Sequence, residues 1–278
     1  MKKRALVIGT GGLRGTYDAG VAFTLCRELG SNYFDAIYAA SAGTYTAAYF
    51  ALNQPDSAED IWRNYLDGSK LVNFLNPLHG RSILNLEYLG RLLQSKEHFL
   101  CVENLPFIST RLVYCLTERK TGKAAYIQPA HDDRATLMSA SSAMPLIHSS
   151  VAIDGVDYID GALSDPLPFA KARTDGYEEV VVIYNGPRGV PVGDAYDALS
   201  SILAFCLHPA TGRSLKQRVA RFRAIDDQLE CDSDLHIIRP KVQLPLKSIL
   251  DTNKVRLNAC VDMGIADAKE FLRTYNPA

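Results

Sequence analysis

The first fifty residues carry the pattern that most restricts the fold of this chain. A short apolar run, Arg4 to Ile8, ends in the glycine-rich segment 9–15, and a helical pattern follows from Thr16 to Leu29. A second apolar run, Phe34 to Ala40, then leads through a tight turn into the helix-forming residues 44–52. Strand, loop, helix, strand, turn and helix in this order are typical of a parallel sheet covered by helices. The sequence therefore predicts an α/β protein.

The remaining residues add strands and helices without an internal boundary. Further strands are expected at 111–118, 123–128, 151–158 and 179–184, and further helices at 58–66, 86–93, 132–141 and beyond 198, with an interruption at 235–239. There is no repeat, no low-complexity tract and no linker rich in proline, glycine or serine. We therefore expect one domain over residues 1–278, with a mostly helical C-terminal part over 196–278.

Composition excludes several classes of protein. Hydrophobic residues make up 47% of the chain and charged residues 22%, which excludes a disordered or collagen-like protein. Thirty basic residues against 31 acidic ones leave a net charge of -1, so the overall charge does not attract nucleic acid. The apolar run Ala5 to Ile8 is too short for a signal peptide, and no run suits a membrane span. We expect a cytoplasmic protein, with leaderless secretion as the alternative.

The six cysteines lie far apart in the chain. No C-x-x-C pair and no cysteine–histidine spacing matches a zinc site. The spacing predicts reduced, mostly buried thiols, and the sequence predicts neither a bound metal ion nor a cofactor.

The glycine-rich segment reads GTGGLRG over residues 9–15. Glycines between a strand and a helix let backbone N–H groups turn towards an anion at the positive end of the helix. A dinucleotide fingerprint would place a glycine at the sixth position, where this chain has Arg14, and the lysine of a P-loop is absent. The remaining interpretation is an oxyanion hole. Its candidate residues are Gly11, Gly12, Leu13, Arg14 and Gly15.

A serine stands in the tight turn after the second predicted strand. The turn reads AASAG, with Ser41 flanked two residues away by Ala39 and Gly43. A serine between strand and helix with small residues on both sides is typical of a nucleophile elbow, because the sharp turn brings the two backbones close together. The alternative is an ordinary small-residue turn.

An aspartate stands at the end of a later predicted strand. Asp160 follows the apolar Ile159 and precedes the small residues Gly161 and Ala162. A carboxylate in this position can point into a site while the glycine lets another backbone approach. The alternative is a turn aspartate, as expected for Asp154 and Asp157.

Together these three segments resemble the patatin-like phospholipase family, whose pattern is a G-G-G-x-R-G loop, a G-x-S-x-G elbow and a D-G-G or D-G-A aspartate. The match runs from about residue 4 to residue 172 and includes the segment SASSAMP at 139–145. Thr10 and Ala39 depart from the pattern, because each replaces the first glycine of its motif. The resemblance implies a three-layer α/β/α sandwich with a central, mostly parallel sheet.

The same resemblance implies a lipid acyl hydrolase of the phospholipase A or lysophospholipase type. Ser41 would be the nucleophile and Asp160 the base, with the loop at residues 11–15 holding the oxyanion. The implied partner is a phospholipid or another acyl-ester lipid, with transient contact to a membrane surface and without nucleic acid. Basic residues between Arg213 and Arg223 could lie on anionic lipid or form a solvated helix face.

Two other functions are compatible with the same residues. A Ser–His acyltransferase or esterase would use one of the histidines, which are His79, His98, His131, His148, His208 and His236. A non-catalytic protein would use the anion-binding loop to hold a lipid headgroup or a nucleotide. Residues 56–105 would either cap the site or pack on the sheet.

Overall fold

The computed structural model describes residues 2–98, 100–101, 108–129, 134–188 and 209–275. Its centre is an eight-stranded sheet. The strands are β1 (Arg4–Ile8), β2 (Ala36–Ala40), β3 (Arg111–Glu118), β4 (Ala124–Ile127), β5 (Val151–Ile153), β6 (Val156–Asp160), β7 (Glu179–Ile183) and β8 (Leu235–Ile238).

Parallel pairs dominate the sheet. Its order is β5-β6-β3-β2-β1-β7-β8, with β4 paired to β3. The five neighbouring strands β3, β2, β1, β7 and β8 are parallel. The strands β4, β5 and β6 form antiparallel pairs. The predicted mostly parallel sheet is confirmed. The interruption expected at 235–239 is strand β8, which pairs with β7 at an edge of the sheet.

Helices connect and cover the strands. They are α1 (Gly15–Leu29), α2 (Gly43–Ala51), α3 (Pro55–Asn64), α4 (Leu86–Leu93), α5 (Arg134–Ser141), α6 (Phe169–Thr174), α7 (Pro209–Cys231) and α8 (Lys254–Thr274). The sequence pattern did not predict α6. The parts of the predicted helices at 132–133 and 198–208 lie outside the described residues.

Two separate apolar cores show that the protein has three layers. Leu6 and Ile8 of β1 pack in one core with buried side chains of α1, α2, α3 and α8. Ala5 and Val7, which point to the opposite face, pack in a second core with side chains of α6 and α7. Successive side chains of a strand alternate between the faces, so a strand buried on both sides must be apolar throughout. The predicted α/β/α arrangement is confirmed.

Two findings bear on the predictions from composition. Among the helices in the described ranges, none combines the length and the apolar character that crossing a bilayer requires. Cys26, Cys115 and Cys260 are buried, and no disulfide joins the cysteines that the structure describes.

Candidate active site

Ser41 stands in a strained turn directly after β2. Its φ angle is +52°, in the left-handed region that residues other than glycine rarely adopt. The Ser41 N–H donates to Ser141 Oγ at 2.8 Å, and that hydroxyl donates to the carbonyl of Cys115 at 2.7 Å. The carbonyl of Ser41 accepts from the N–H and the hydroxyl of Thr44. Hydrogen bonds thus hold the turn on both sides of Ser41.

Small residues on either side of the serine allow this turn. A Cβ at position 43 would lie 2.7 Å from the carbonyl oxygen of Gly9, so only glycine lets α2 begin this close to the end of β1. Ala39 is fully buried in β2, opposite Ile8 of β1. Of the two predicted support residues, Gly43 thus lies at the close approach of α2 to the end of β1, and Ala39 lies in the sheet beside β1.

Strand β3 brings the ends of β2 and β6 together. Cys115 of β3 is the register partner of Ala40, the residue before Ser41. The next residue of β3, Leu116, is the partner of Asp160. As a result, Ser41 Oγ donates a hydrogen bond of 2.8 Å to Asp160 Oδ2. The two residues predicted to act together are 119 positions apart in sequence and in direct contact in space.

Asp160 is fully enclosed at this position. Its Oδ1 accepts the N–H of Ala162 at 2.8 Å, and a Cβ at position 161 would collide with the carbonyl of Cys115. Burial raises the pKa of Asp160 to about 6, against the lowering effects of the Ala162 N–H, the Ser41 hydroxyl and the positive charge of Arg218. A carboxylate with this pKa can accept and return a proton near neutral pH.

The glycine loop offers fewer free donors than its sequence predicts. The Leu13 N–H donates to the carbonyl of Ile249 at 2.9 Å, and the Arg14 N–H donates to the carbonyl of Gly11 at 3.0 Å. The Gly15 N–H closes the same one-turn helix, Gly12–Arg14. Within the described part of the chain, the N–H groups of Gly11 and Gly12 have no protein acceptor. Of the five residues predicted to form the oxyanion hole, Gly11 and Gly12 therefore remain as candidate donors.

Position 12 requires glycine for two reasons. Its φ angle is +55°, and a Cβ there would lie 2.6 Å from the carbonyl oxygen of Ile249. Arg14 is half-buried beside it and makes no ion pair with any residue that the structure describes.

Two polar side chains beneath the loop were not singled out by the sequence. Asp18 of α1 is buried, and burial raises the pKa of its carboxyl well above the ordinary value. Asn185 follows β7 and is also buried. A Cβ at Gly11 would lie 2.7 Å from Asn185 Nδ2, so the amide packs directly under the loop. Asp18 could have been found in the sequence as a charged residue on an otherwise apolar helix face. No comparable pattern marks Asn185.

Ser41, Asp160, Gly11 and Gly12 line one cavity whose other walls are mostly apolar. Residues 58–93 supply much of that wall, so the described part of the segment 56–105 borders the cavity and does not only pack on the sheet. Its apolar lining residues are Ala58, Ile61, Trp62, Leu66, Leu71, Val72, Leu84, Leu86, Leu89, Leu92 and Leu93.

The basic stretch of α7 is not a uniform solvated or lipid-facing surface. Arg213 and Arg223 are exposed, whereas Arg218 is buried, lines the cavity and lies 5.0 Å from the centre of the Phe222 ring. Arg221 donates to the carbonyl of Leu163, just after Asp160. Both alternatives for this stretch, contact with anionic lipid and a solvated helix face, are therefore wrong for Arg218, which is buried at the cavity, whereas Arg221 is half-buried.

No described histidine contacts the serine or the aspartate. His148 is half-buried and its Nδ1 lies 2.7 Å from the carbonyl of Ser149. His98 is buried with Nε2 3.4 Å from Asp60 Oδ2, and His236 packs on Tyr275. His79 is exposed, while His131 and His208 lie outside the described residues.

Curated proteins of similar sequence cover about two thirds of this chain. An uncharacterized protein of Escherichia coli K12, YjjU, is 30% identical over 186 residues, which are 66% of this chain and 52% of that protein. An uncharacterized NTE family protein of Mycobacterium tuberculosis, Rv1063c, is 28% identical over 193 residues, which are 69% of this chain and 51% of that protein. The chain spans about half the length of these relatives.

The fold and the motifs also match. The crystal structure of VipD from Legionella pneumophila superposes with a TM-score of 0.54 at 13% identity, over 98% of this chain and 67% of that one, which shows a shared fold. The family model for patatin-like phospholipase matches residues 6–173, the region that holds the glycine loop, the serine turn and the aspartate. The chain belongs to the patatin-like phospholipase family.

Proposed function

We propose that this protein is a lipid acyl hydrolase that cleaves carboxylic esters with Ser41 as nucleophile and Asp160 as base. The observation that carries the proposal is the 2.8 Å hydrogen bond from Ser41 Oγ to Asp160 Oδ2 at a mostly apolar cavity. Family membership supports the same reaction. We expect activity of the phospholipase A or lysophospholipase type.

In the first half of the reaction, Ser41 Oγ attacks the ester carbonyl carbon and its proton passes to Asp160 Oδ2. The carbonyl oxygen becomes an oxyanion, which the N–H groups of Gly11 and Gly12 stabilise. The tetrahedral intermediate then breaks its bond to the leaving alcohol. Asp160 returns the proton to that alcohol, and an acyl group remains on Ser41.

In the second half, water attacks the acyl-enzyme and gives one proton to Asp160. The same two N–H groups stabilise the second oxyanion. When the intermediate collapses, the proton on Asp160 returns to Ser41 Oγ and the fatty acid leaves. A pKa of about 6 for Asp160 supports both directions of this transfer near neutral pH.

The apolar walls of the cavity support a fatty acyl chain as the group next to the ester. Arg218, Ile249 and Leu250 line the same cavity although they lie beyond the region matched by the family model. This contribution from the C-terminal part supports the prediction that residues 1–278 act as one domain.

Covalent labelling tests the nucleophile. A fluorophosphonate should modify wild-type protein at Ser41, and Ser41→Ala should abolish the label. Ser142→Ala is the matched control, because Ser142 lines the same cavity and should leave the label in place. Labelling that persists in Ser41→Ala would contradict the proposal.

Turnover tests the reaction class. Wild type and Ser41→Ala should be compared on phospholipids, lysophospholipids, neutral glycerides and short p-nitrophenyl esters. We expect Ser41→Ala to lower kcat about a thousandfold or more, which is about 4 kcal/mol of transition-state stabilisation. Lipid binding without any turnover by wild-type protein would instead support the non-catalytic alternative.

A further inference from the structure

The loop at residues 73–81 exposes an unusual concentration of apolar side chains. Phe74 is 65% exposed, Leu75 64% and Leu78 80%. They are three of the six large hydrophobic side chains exposed in the described part of the chain. A fourth, Leu146, belongs to a turn that accepts a hydrogen bond from the base of this loop, from Leu84 N–H to the carbonyl of Ile147. Clustered apolar exposure of this kind marks an interaction surface.

Internal hydrogen bonds hold the loop in this shape. Asn73 Oδ1 accepts the Leu75 N–H at 2.9 Å, and Asn76 Nδ2 donates to the carbonyl of Ser82 at 2.9 Å. The Asn73 N–H donates to the carbonyl of Ile83 across the base of the loop. The apolar side chains are therefore presented outwards by an ordered backbone.

The base of the loop is continuous with the cavity of Ser41 and Asp160. Val72 and Leu84 pair across this base as an isolated β-bridge, and both line the cavity together with Leu71. Phe74, Leu75 and Leu78 are not among the lining residues. The surface that would meet a partner thus lies next to the wall of the cavity proposed to receive an acyl chain.

The charged residues within 68–86 are all basic. Lys70 and Arg81 flank the apolar tip and are exposed. Residues 68–86 contain no aspartate and no glutamate. Exposed apolar side chains between cations suit the headgroup region of an anionic bilayer, where the rings and methyl groups enter the acyl layer and the cations meet phosphates.

We propose that the loop at 73–81 is the element that docks this protein on the surface of an anionic lipid bilayer. The inference rests on the proposed function for its choice of partner, because a lipid substrate resides in such a surface. Docking there would place the wall of the cavity beside the bilayer, so that an acyl chain reaches Ser41 without passing through water.

The test measures binding to vesicles of ether-linked phosphatidylcholine, with and without ether-linked phosphatidylglycerol, because these lipids contain no ester to cleave. The variant replaces Phe74, Leu75 and Leu78 by serine together. Val242→Ser is the matched control, since Val242 is 63% exposed. Val242 also lies far from the loop. Its neighbour Lys241 pairs with Glu270 near the end of α8, whereas Gly68, close to the loop, contacts Thr252 just before α8 begins. The stretch of α8 between these two contacts is about 24 Å long.

We expect the triple variant to bind both kinds of vesicle at least about tenfold more weakly, and Val242→Ser to bind as wild type. Replacing Lys70 and Arg81 by glutamine should weaken binding to the phosphatidylglycerol vesicles alone, by about fivefold for each charge. Turnover of soluble p-nitrophenyl butyrate and the Tm should stay unchanged in all variants, because the replaced side chains lie outside the cavity lining.

Equal vesicle binding by wild type and triple variant would overturn the proposal. So would absence of wild-type vesicle binding, or a triple variant that changes only the oligomeric state, which would assign the loop to contact between copies. Failure of the proposed function is distinguishable: wild type would then bind ether vesicles through the loop but turn over no ester.

Discussion

Asn185 Nδ2 donates a hydrogen bond of 2.6 Å to the buried Asp18 Oδ2 beneath the glycine loop. The same amide nitrogen donates to the carbonyl of Thr10 at 2.9 Å. One side chain thereby joins the end of β7, the first turns of α1 and the residue before Gly11. The two candidate oxyanion donors therefore rest on a contact between side chains that are 167 positions apart in sequence.

Asn185→Ala should lower kcat about tenfold or more with little change in KM, because in the proposed mechanism the loop stabilises the oxyanion of the transition state and not the bound ester. Steady-state kinetics on a soluble ester, run well below the Tm of the variant, measures the two constants separately. The variant should also be less stable by about 1–3 kcal/mol, since the Asp18 carboxyl loses its partner. A lower Tm with an unchanged kcat would show that Asn185 has a structural role alone.

Asp160→Asn should lower kcat nearly as far as Ser41→Ala, because the amide cannot accept the serine proton. The double variant should be little worse than either single one, since residues that act as a unit are not additive. Comparing kcat of all three variants on one ester provides the cycle.

His148→Ala is the control for this cycle and should keep most of the activity. Its ring lies against Ser149 and not against the serine–aspartate pair. Loss of turnover in His148→Ala or His208→Ala, with substantial turnover left in Asp160→Asn, would assign the role of base to a histidine.

The pH dependence of turnover should follow the ionisation of Asp160. The base must be ionised, so kcat/KM should rise with pH through about 6 and level off above it. The positive charge of Arg218 lowers the pKa of Asp160, so Arg218→Met should move this inflection to higher pH. Arg213→Met, a change at an exposed arginine of the same helix, should leave it in place. If the inflection of the pH profile stays at the same pH in Arg218→Met, this electrostatic coupling is contradicted.

The buried carboxyl of Asp160 should also destabilise the folded protein above its pKa. Its pKa is raised from 3.8 to about 6 on folding, so the folded state binds the proton more tightly than the unfolded state. The free energy of unfolding is therefore highest below about pH 4 with respect to this group and falls as pH rises through about 6, by about 3 kcal/mol in total.

Asp160→Asn removes this pH-dependent loss of stability, because the amide does not ionise. The variant should be more stable than wild type at pH 8, with a smaller difference at pH 4. Denaturant unfolding of both proteins at the two pH values measures the effect. A variant that is destabilised equally at both values would show that the hydrogen bonds of Asp160 outweigh its desolvation.

Local sequence patterns predicted most of the elements around the site. The strand Arg4–Ile8 and helix Leu86–Leu93 have the predicted bounds, and β2 and α2 flank Ser41 as expected. Such elements can be predicted from short segments, because the alternation of side chains in a strand and the spacing of apolar residues in a helix are visible within a few residues. Helix Phe169–Thr174 was missed because it has only six residues and little periodicity to detect.

Contacts between distant parts of the chain were not predictable in the same way. Arg218 belongs to a basic stretch whose pattern is compatible with a solvated face, and its burial depends on where α7 packs against the residues after Asp160. Strand β8 looked like an interruption between helices, because its parallel pairing with β7 involves residues about fifty positions earlier. Neither arrangement leaves a local pattern.

Local residue patterns were sufficient to predict a glycine loop and a serine turn after a strand and an aspartate at the end of one, because strand ends and tight turns depend on neighbouring residues. The chemistry available to these groups depends on contacts with distant parts of the chain. The Leu13 N–H is occupied because Ile249 approaches it from the C-terminal part of the chain. The pKa of Asp160 is raised because the assembled layers exclude water from its carboxyl. Burial and donor availability are properties of the packed whole, so no local segment of the sequence encodes them.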